Sequence, residues 1–256
     1  MPSGTHGLIL FMQKTKVFIL CAGEGKRLRP YTEHQPKCMV PYQGKPLVEY
    51  QLDLFAQPGI RDIVLIGGYR HTLLPKQATV VVNPDYAKTN MVYSLFCAQE
   101  QMDEACDWLI TYGDIIYHAS VLQAMLQANE SIAVATDVDW QRYWKRRMED
   151  PLKDAETFRW DTQTHRMVEI GKKPKTLADI QGQYIGFIKV AAQYTKVFKQ
   201  AYRQFLNVHP SPKTAYMTDF LQFLIDQKIP LYGVPIHNHW AEFDTAQDLS
   251  LTLDWL

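Results

Sequence analysis

Short apolar runs alternate along the chain with longer segments whose apolar positions recur every three or four residues. Val17-Phe18-Ile19-Leu20 is the first such run, and its counterparts predict strands over residues 16–20, 62–66, 79–82, 108–112 and 131–135. Between them Val48, Leu52 and Phe55 fall at helical spacing and predict a helix over 47–55. Residues 91–102 and 120–129 also read as helices. Strand and helix in alternation favour a mixed, mainly parallel sheet flanked by helices, an α/β fold. From about Asp137 the pattern changes. Residues 157–160 and 167–169 predict antiparallel strands joined by a polar turn at 161–165. A strand over 184–190, helices over 194–206 and 217–227, a strand at 235–237 and a closing helix over 245–256 follow. No low-complexity linker or internal repeat intervenes, so one domain over 16–256 is expected, with a β-rich insertion at 137–190. Residues 1–15 read as a loose extension, within which Met12 is an alternative start.

A chain of 256 residues, 46% of them hydrophobic, can bury an ample core. Lys plus Arg and Asp plus Glu both number 27, and this zero balance argues against a dedicated nucleic-acid binder. It leaves room for a small anionic ligand in a local basic pocket. Cys21, Cys38, Cys97 and Cys106 form no CxxC pair and read as small, mostly buried thiols of a reducing compartment. The apolar run at 7–12 is too short for a signal segment, and no stretch reaches the ~20 apolar residues of a membrane span. A cytoplasmic protein without a membrane partner is expected, with a homo-oligomer left open. The eight histidines show no zinc-type spacing.

The stretch ILCAGEGKRLRPYTEHQPK, residues 19–37, follows the first strand. Gly23 and Gly25 let backbone N–H groups approach phosphate oxygens, and Lys26 and Arg27 add charge. The third glycine of a dinucleotide fingerprint and the GK[ST] of a P-loop are both absent. The wider pattern, Leu20-x-x-Gly23-x-Gly25-x-Arg27-Leu28 with Thr32, Pro36 and Lys37, resembles the signature of the nucleotidylyltransferases that activate sugar phosphates and phospho-alcohols. That resemblance implies a Rossmann-like fold. It also implies that Leu20, Ala22, Gly23, Glu24, Gly25, Lys26 and, further on, Gly113 cradle a nucleoside triphosphate, with Arg27 on its β- and γ-phosphates and Lys37 on its α-phosphate.

Chemistry at an α-phosphate needs a divalent cation, and two aspartates stand where strands end. Asp114 closes the apolar run 109–112 after Gly113, and Asp244 precedes the expected last helix. The resemblance implies that they hold Mg²⁺; a turn role for Asp114 and a cap role for Asp244 are the plain alternatives. Gly68 and Tyr69 end a strand where a base would lie. Thr89-Asn90-Met91-Val92-Tyr93-Ser94-Leu95 looks like the pattern of cytidylyltransferases acting on phosphocholine, 2-aminoethylphosphonate or phosphoglutamine, which implies CTP. Asn90 and Ser94, four apart, share a helix face.

Asp137-x-Asp139-Trp140, 153–156, 171–174 and 182–186 resemble the same branch, so the resemblance runs nearly the whole chain from Lys16. For the acceptor it implies Asp139, Trp140 and Glu156 around a cationic or amide-bearing head group, Trp140 by its ring face. Lys172 or Lys173 would hold the acceptor phosphate, and Lys153, Gln183 and Tyr184 complete the set. Thr218 or Asp219 reads as a helix cap. The implied activity is transfer of CMP from CTP to a small phosphorylated or phosphonate acceptor. A sugar-1-phosphate nucleotidylyltransferase using UTP or dTTP, and a silent nucleotide-binding regulator, are the rival readings.

Overall fold

The structure, a computed structural model, describes residues 14–255. β1 (Thr15–Cys21) leads through two 3-10 turns (Lys26–Leu28, Lys37–Met39) into a small hairpin of β2 (Pro41–Tyr42) and β3 (Lys45–Pro46). Then come α1 (Leu47–Phe55), β4 (Ile60–Gly67), β5 (Thr79–Val82), α2 (Met91–Cys97), β6 (Asp107–Tyr112), β7 (Ile115–Tyr117), α3 (Ala119–Gln127) and β8 (Ile132–Asp137). The second half contains α4 (Trp140–Arg147), β9 (Phe158–Trp160), β10 (Met167–Ile170), β11 (Gln183–Val190), α5 (Ala192–Val208), α6 (Met217–Asp226), β12 (Tyr232–Ile236) and β13 (Trp240–Glu242).

Seven strands form the main sheet in the order β12-β8-β11-β6-β1-β4-β5. β1 pairs in parallel with β4 and β6, β4 with β5, and β8 with β12; β11 lies antiparallel between β6 and β8. The alternation of β1 explains why both faces are covered. Val17 and Ile19 pack with α1, α3 and α4, while Phe18 packs with α2, α5 and α6. Because β1, β4 and β6 run the same way, their carboxyl ends, Cys21, Gly67 and Tyr112, lie side by side. This edge is where open α/β sheets bind ligands.

The expected mixed sheet is present, with four differences in detail. β1 begins at Thr15, one residue inside the expected extension, while residues 1–13 lie outside the described residues. The expected helix over 91–102 stops at Cys97 and continues as a 3-10 turn at Gln99–Gln101. α4 has no counterpart among the expected helices, although Trp140, Tyr143 and Trp144 have helical spacing. The closing helix over 245–256 is replaced by one 3-10 turn, Asp248–Ser250, after which the chain extends. Tertiary contacts hold that extension: the Tyr42 hydroxyl donates to the Leu251 carbonyl (2.6 Å) and Arg146 donates to that of Thr252 (2.7 Å). All four cysteines are free thiols. Among the described residues no helix is long and apolar enough to cross a membrane.

Candidate active site

Behind β1 the backbone turns sharply at Gly25, whose φ of 65° favours glycine. A Cβ there would come within 2.9 Å of the Lys37 side chain, so the bare backbone also makes room for that lysine. The Thr32 hydroxyl donates to the Gly25 carbonyl (2.8 Å) and fixes the turn. At Gly23 a Cβ would meet nothing within 4 Å; it would project into the open cleft that this residue lines. Gly113 is a packing residue. A Cβ on it would meet the Cys21 sulfur at 2.7 Å, so glycine lets Asp114 follow β6 closely beside β1.

The cleft brings together residues from distant parts of the chain. Lys37 Nζ hydrogen-bonds to Asp114 Oδ2 and to Asp244 Oδ1, the latter at 2.5 Å. Arg27 reaches the same Asp244 oxygen at 3.0 Å. Glu242, which sequence reasoning missed, joins them, with oxygens of Asp114, Glu242 and Asp244 all within 4.8 Å of one another. The sequence did carry a signal for it: Glu242 stands two residues from Asp244, the same-side spacing of an extended chain. The antiparallel pairing of β13 with β7 sets Glu242 opposite Ile115, next to Asp114.

Electrostatics follow from this crowding. Burial alone would lower the Lys37 ammonium, but Asp114, Asp244 and Glu242 together raise its pKa above the ordinary lysine value. Burial and the charges of Asp244 and Asp114 push Glu242 up to about 7, against the pull of Arg147 and Lys37. For Asp244 burial acts upward, yet Lys37, Arg27 and Arg147 prevail and hold it below the usual aspartate range. Asp114 Oδ1 is buried with no hydrogen-bond partner among the described residues. Three clustered carboxylates, one with an orphaned oxygen, form the hard-oxygen donor set that suits Mg²⁺.

On the nucleotide side, a cavity of about 680 Å³ is lined by the 23–27 loop, Lys37, Tyr86, Asn90, Tyr112, Asp114 and Asp244. Leu20, Ala22 and Ser94 line an adjoining recess. Lys26 is exposed and pairs with Glu24 at 3.3 Å. Asn90 caps α2, its Oδ1 accepting the Met91 N–H (2.9 Å), and it still borders the cleft. The buried Asn83 donates to Ser94 and Thr89 at 2.9 Å each and ties that wall together. Gly68 and Tyr69 do not line the cleft. Tyr69 N–H donates to the Ala22 carbonyl (3.1 Å) and its hydroxyl to that of Glu33 (2.7 Å), so the pair supports the loop from behind.

Beyond Glu242 the cleft continues into a smaller cavity of about 170 Å³ lined by Trp144, Trp240, Tyr112, Tyr184, Glu156 and Thr218, with Tyr216 at its junction with the first. Here several expected acceptor residues stand elsewhere. Trp140 is only 2% exposed and packs edge-on against Trp144 in the core, so its ring face is not free. Asp139 pairs with His237 at 2.9 Å outside the cavity. Lys172 is bound to Glu169 (2.6 Å) within its own loop, and Lys173 donates to the carbonyls of Leu152 and Lys153, so it ties that loop to the 151–153 turn. Gln183 is buried and donates to the Glu156 carbonyl (2.7 Å), which positions Glu156 from beneath. Glu156 and Tyr184 do line the cavity. Asp244 precedes no helix to cap; its own N–H (2.9 Å) and that of Thr245 (2.8 Å) donate to the Asp248 carboxylate, which fixes the turn that carries Asp244. Asp219 accepts the Tyr216 N–H at the start of α6 (2.7 Å).

Residues 17–156 match the family model of the MobA-like NTP transferase domain. The chain is 34% identical over 250 residues to a CTP:phosphoglutamine cytidylyltransferase of Campylobacter jejuni, covering 92% of this chain and 98% of that protein. A choline-phosphate cytidylyltransferase of Streptococcus pneumoniae is 42% identical over 92 residues, 34% of this chain and 40% of that one. Among solved structures, the inositol-1-phosphate CTP transferase from T. maritima superposes with a TM-score of 0.72 at 22% identity, covering 92% of this chain and 91% of that one. The fold is therefore shared as well as the sequence. With its glycine loop, basic pair and clustered carboxylates at the carboxyl edge of the sheet, the chain belongs to the MobA-like NTP transferase family and is a nucleotidyltransferase.

Proposed function

We propose that the protein transfers CMP from CTP to a phosphate or phosphonate oxygen of a small acceptor, releasing pyrophosphate. The observation that carries this reading is the Lys37–Asp114–Glu242–Asp244 cluster, seated where a cavity bordered by the glycine loop meets a smaller aromatic one. The likeness to a CTP:phosphoglutamine cytidylyltransferase over nearly the whole chain supports CTP and a phosphorylated acceptor.

In this reading Asp114, Glu242 and Asp244 would hold Mg²⁺, which neutralises phosphate charge and aligns the reacting groups. The 22–27 loop and Arg27 bind the triphosphate, and Arg27 compensates charge on the departing pyrophosphate. Lys37 bridges two of the carboxylates here; once they are neutralised otherwise, its ammonium is free to turn towards the α-phosphate. No general base is required, because a phosphomonoester with a second pKa near ~6 is largely a dianion at neutral pH. Catalysis is then positioning and electrostatics. In the acceptor cavity Trp144, Trp240 and Tyr184 form an aromatic lining beside the Glu156 carboxylate, a setting for a compact cationic or amide-bearing head group.

Pyrophosphate release measured with each nucleotide, against phosphocholine, 2-aminoethylphosphonate, phosphoglutamine and hexose 1-phosphates, tests the proposal. CTP is expected to lead UTP, dTTP, ATP and GTP by roughly tenfold or more, since an unpaired buried base edge costs about 1–3 kcal/mol. Equal or faster turnover with UTP or dTTP and a hexose 1-phosphate would move the protein to the sugar-nucleotide reading.

A further inference from the structure

Arg147, at the end of α4, is buried: its side chain is only 5% exposed. Its guanidinium nevertheless meets three carboxylates. Nε and one terminal nitrogen donate to the two oxygens of Asp248 at 2.9 and 3.3 Å. The other terminal nitrogen donates to Glu242 Oε2 at 3.0 Å, and Asp244 Oδ2 lies 3.8 Å away. Asp248 in turn accepts from the N–H groups of Asp244 and Thr245 and from the Thr245 hydroxyl (3.0 Å). One turn earlier on α4, the Tyr143 hydroxyl receives the Glu242 N–H (2.8 Å) and donates to the Glu242 carbonyl (3.2 Å), and its ring lies 5.3 Å below the guanidinium. Glu242 is thus held by backbone and by carboxylate from residues four apart on one helix. Asp244 is held by its backbone through Asp248.

None of these contacts reaches the cleft side of the cluster, where Lys37 and Arg27 take the other oxygen of Asp244. A buried positive charge behind a cation site opposes the cation, so its presence needs a gain that outweighs the repulsion. That gain is geometric. A planar, always-charged fork can fix the Asp248 and Glu242 carboxylates in one plane, which a lysine cannot. Outer partners that orient ligands typically change metal affinity by about 10–100-fold when removed.

We infer that Arg147, with Asp248 and Tyr143, is a positioning residue that sets the separation of Glu242 and Asp244 and so the affinity of the site for a divalent cation. The inference rests on the proposed metal role of those carboxylates. The test is Mn²⁺ binding, followed by electron paramagnetic resonance on the full chain saturated with the α,β-methylene analogue of CTP, alongside steady-state kinetics. Arg147→Lys keeps the charge and loses the fork. It should weaken Mn²⁺ about 10–100-fold, leave the KM for CTP at saturating metal within about threefold, and regain turnover as Mg²⁺ is raised. Asp248→Asn should behave in the same direction, and it decides the matter if Arg147→Lys does not fold. A folded variant with wild-type or tighter Mn²⁺ affinity, or one that loses only thermal stability, overturns the positioning role. Wild-type protein that takes up no more Mn²⁺ than Asp114→Asn removes the metal site itself, and this inference with it.

Discussion

One wall of the cleft is mostly backbone and one is mostly side chain. Residues 22–27 line the proposed nucleotide side as a single loop, shaped by Gly25 and braced by Thr32 and Tyr69. The acceptor side is assembled from Trp144, Glu156, Tyr184, Thr218 and Trp240, five separate stretches that meet only through packing of α4, α6, β11 and β13. A triphosphate presents the same oxygens to any enzyme that binds one, so N–H groups and fixed charges can recognise it. An acceptor head group differs in shape and charge, and side chains can be exchanged to suit it without moving the main chain. Where the walls meet stand Lys37 and the three carboxylates, which line the larger cavity, with Glu242 shared by both.

The largest effect is expected where the walls meet. Asp114→Asn removes a charge without changing shape and should cost roughly 10³-fold or more in turnover with the melting temperature retained, because several kcal/mol of transition-state stabilisation go with it. Activity within about tenfold of wild type would break the assignment. Next come the two basic residues. Lys37→Ala should lower kcat by about 10²-fold with a modest change in KM, since charge builds at the α-phosphorus only in the transition state. Arg27→Ala should raise the KM for CTP as well as slow turnover. Steady-state kinetics separate the two, and wild-type constants for Lys37→Ala would leave that lysine only its structural bridge between Asp114 and Asp244.

The contrast between walls is sharpened by two tryptophans four residues apart. Trp144→Ala and Glu156→Gln should raise the KM for the acceptor by roughly tenfold while leaving that for CTP within twofold; loss of π contact and of one charge is worth about 1–2 kcal/mol each. Trp140→Ala should instead lower stability by about 3–5 kcal/mol, the cost of a core cavity, with the acceptor KM of the surviving fold unchanged. Acceptor affinity that follows Trp140 rather than Trp144 would reverse the description of this wall.

The last effect concerns pH. Glu242 is pushed up to about 7 by burial and by the charges of Asp244 and Asp114, whereas a free glutamate titrates near ~4.3. The folded state therefore holds this proton more tightly than the unfolded chain. The group's stabilising contribution is full below the free value and is lost as pH rises towards 7. Asp244 moves the opposite way, but only below the usual aspartate range, so the interval above pH 4.5 belongs to Glu242. In chelator, the melting temperature of wild type relative to Glu242→Gln should fall by several °C between pH 4.5 and 7.5, since a rise to about 7 is worth about 3 kcal/mol and each kcal/mol moves the midpoint by roughly 2–4 °C in a chain of this length. A flat or rising difference would mean that Lys37 and Arg147 already neutralise the cluster.

Much of the nucleotide side is legible in the amino-acid sequence alone, and the reason is local. Gly23, Gly25, Arg27 and Lys37 fall within fifteen residues of one another, after a strand whose unbroken apolar run marks it as buried on both faces. Strand periodicity also set most of the sheet. Backbone conformation and period-two burial are consequences of neighbours in sequence, and sequence carries them directly. The acceptor wall is a consequence of neighbours in space. Trp140 and Trp144 have the same residue type, share a face of α4 and are both buried, yet only Trp144, packed beside Trp240 of β13, also lines the cavity. Glu242 became part of the carboxylate cluster only when β13 paired with β7 beside Asp114. Asp248 came to brace the backbone of Asp244 because Arg147, a hundred residues away, holds its carboxylate there. Hydrophobic periodicity reports which faces are buried. Which buried side chains meet is decided by how those faces stack, and no local pattern encodes that.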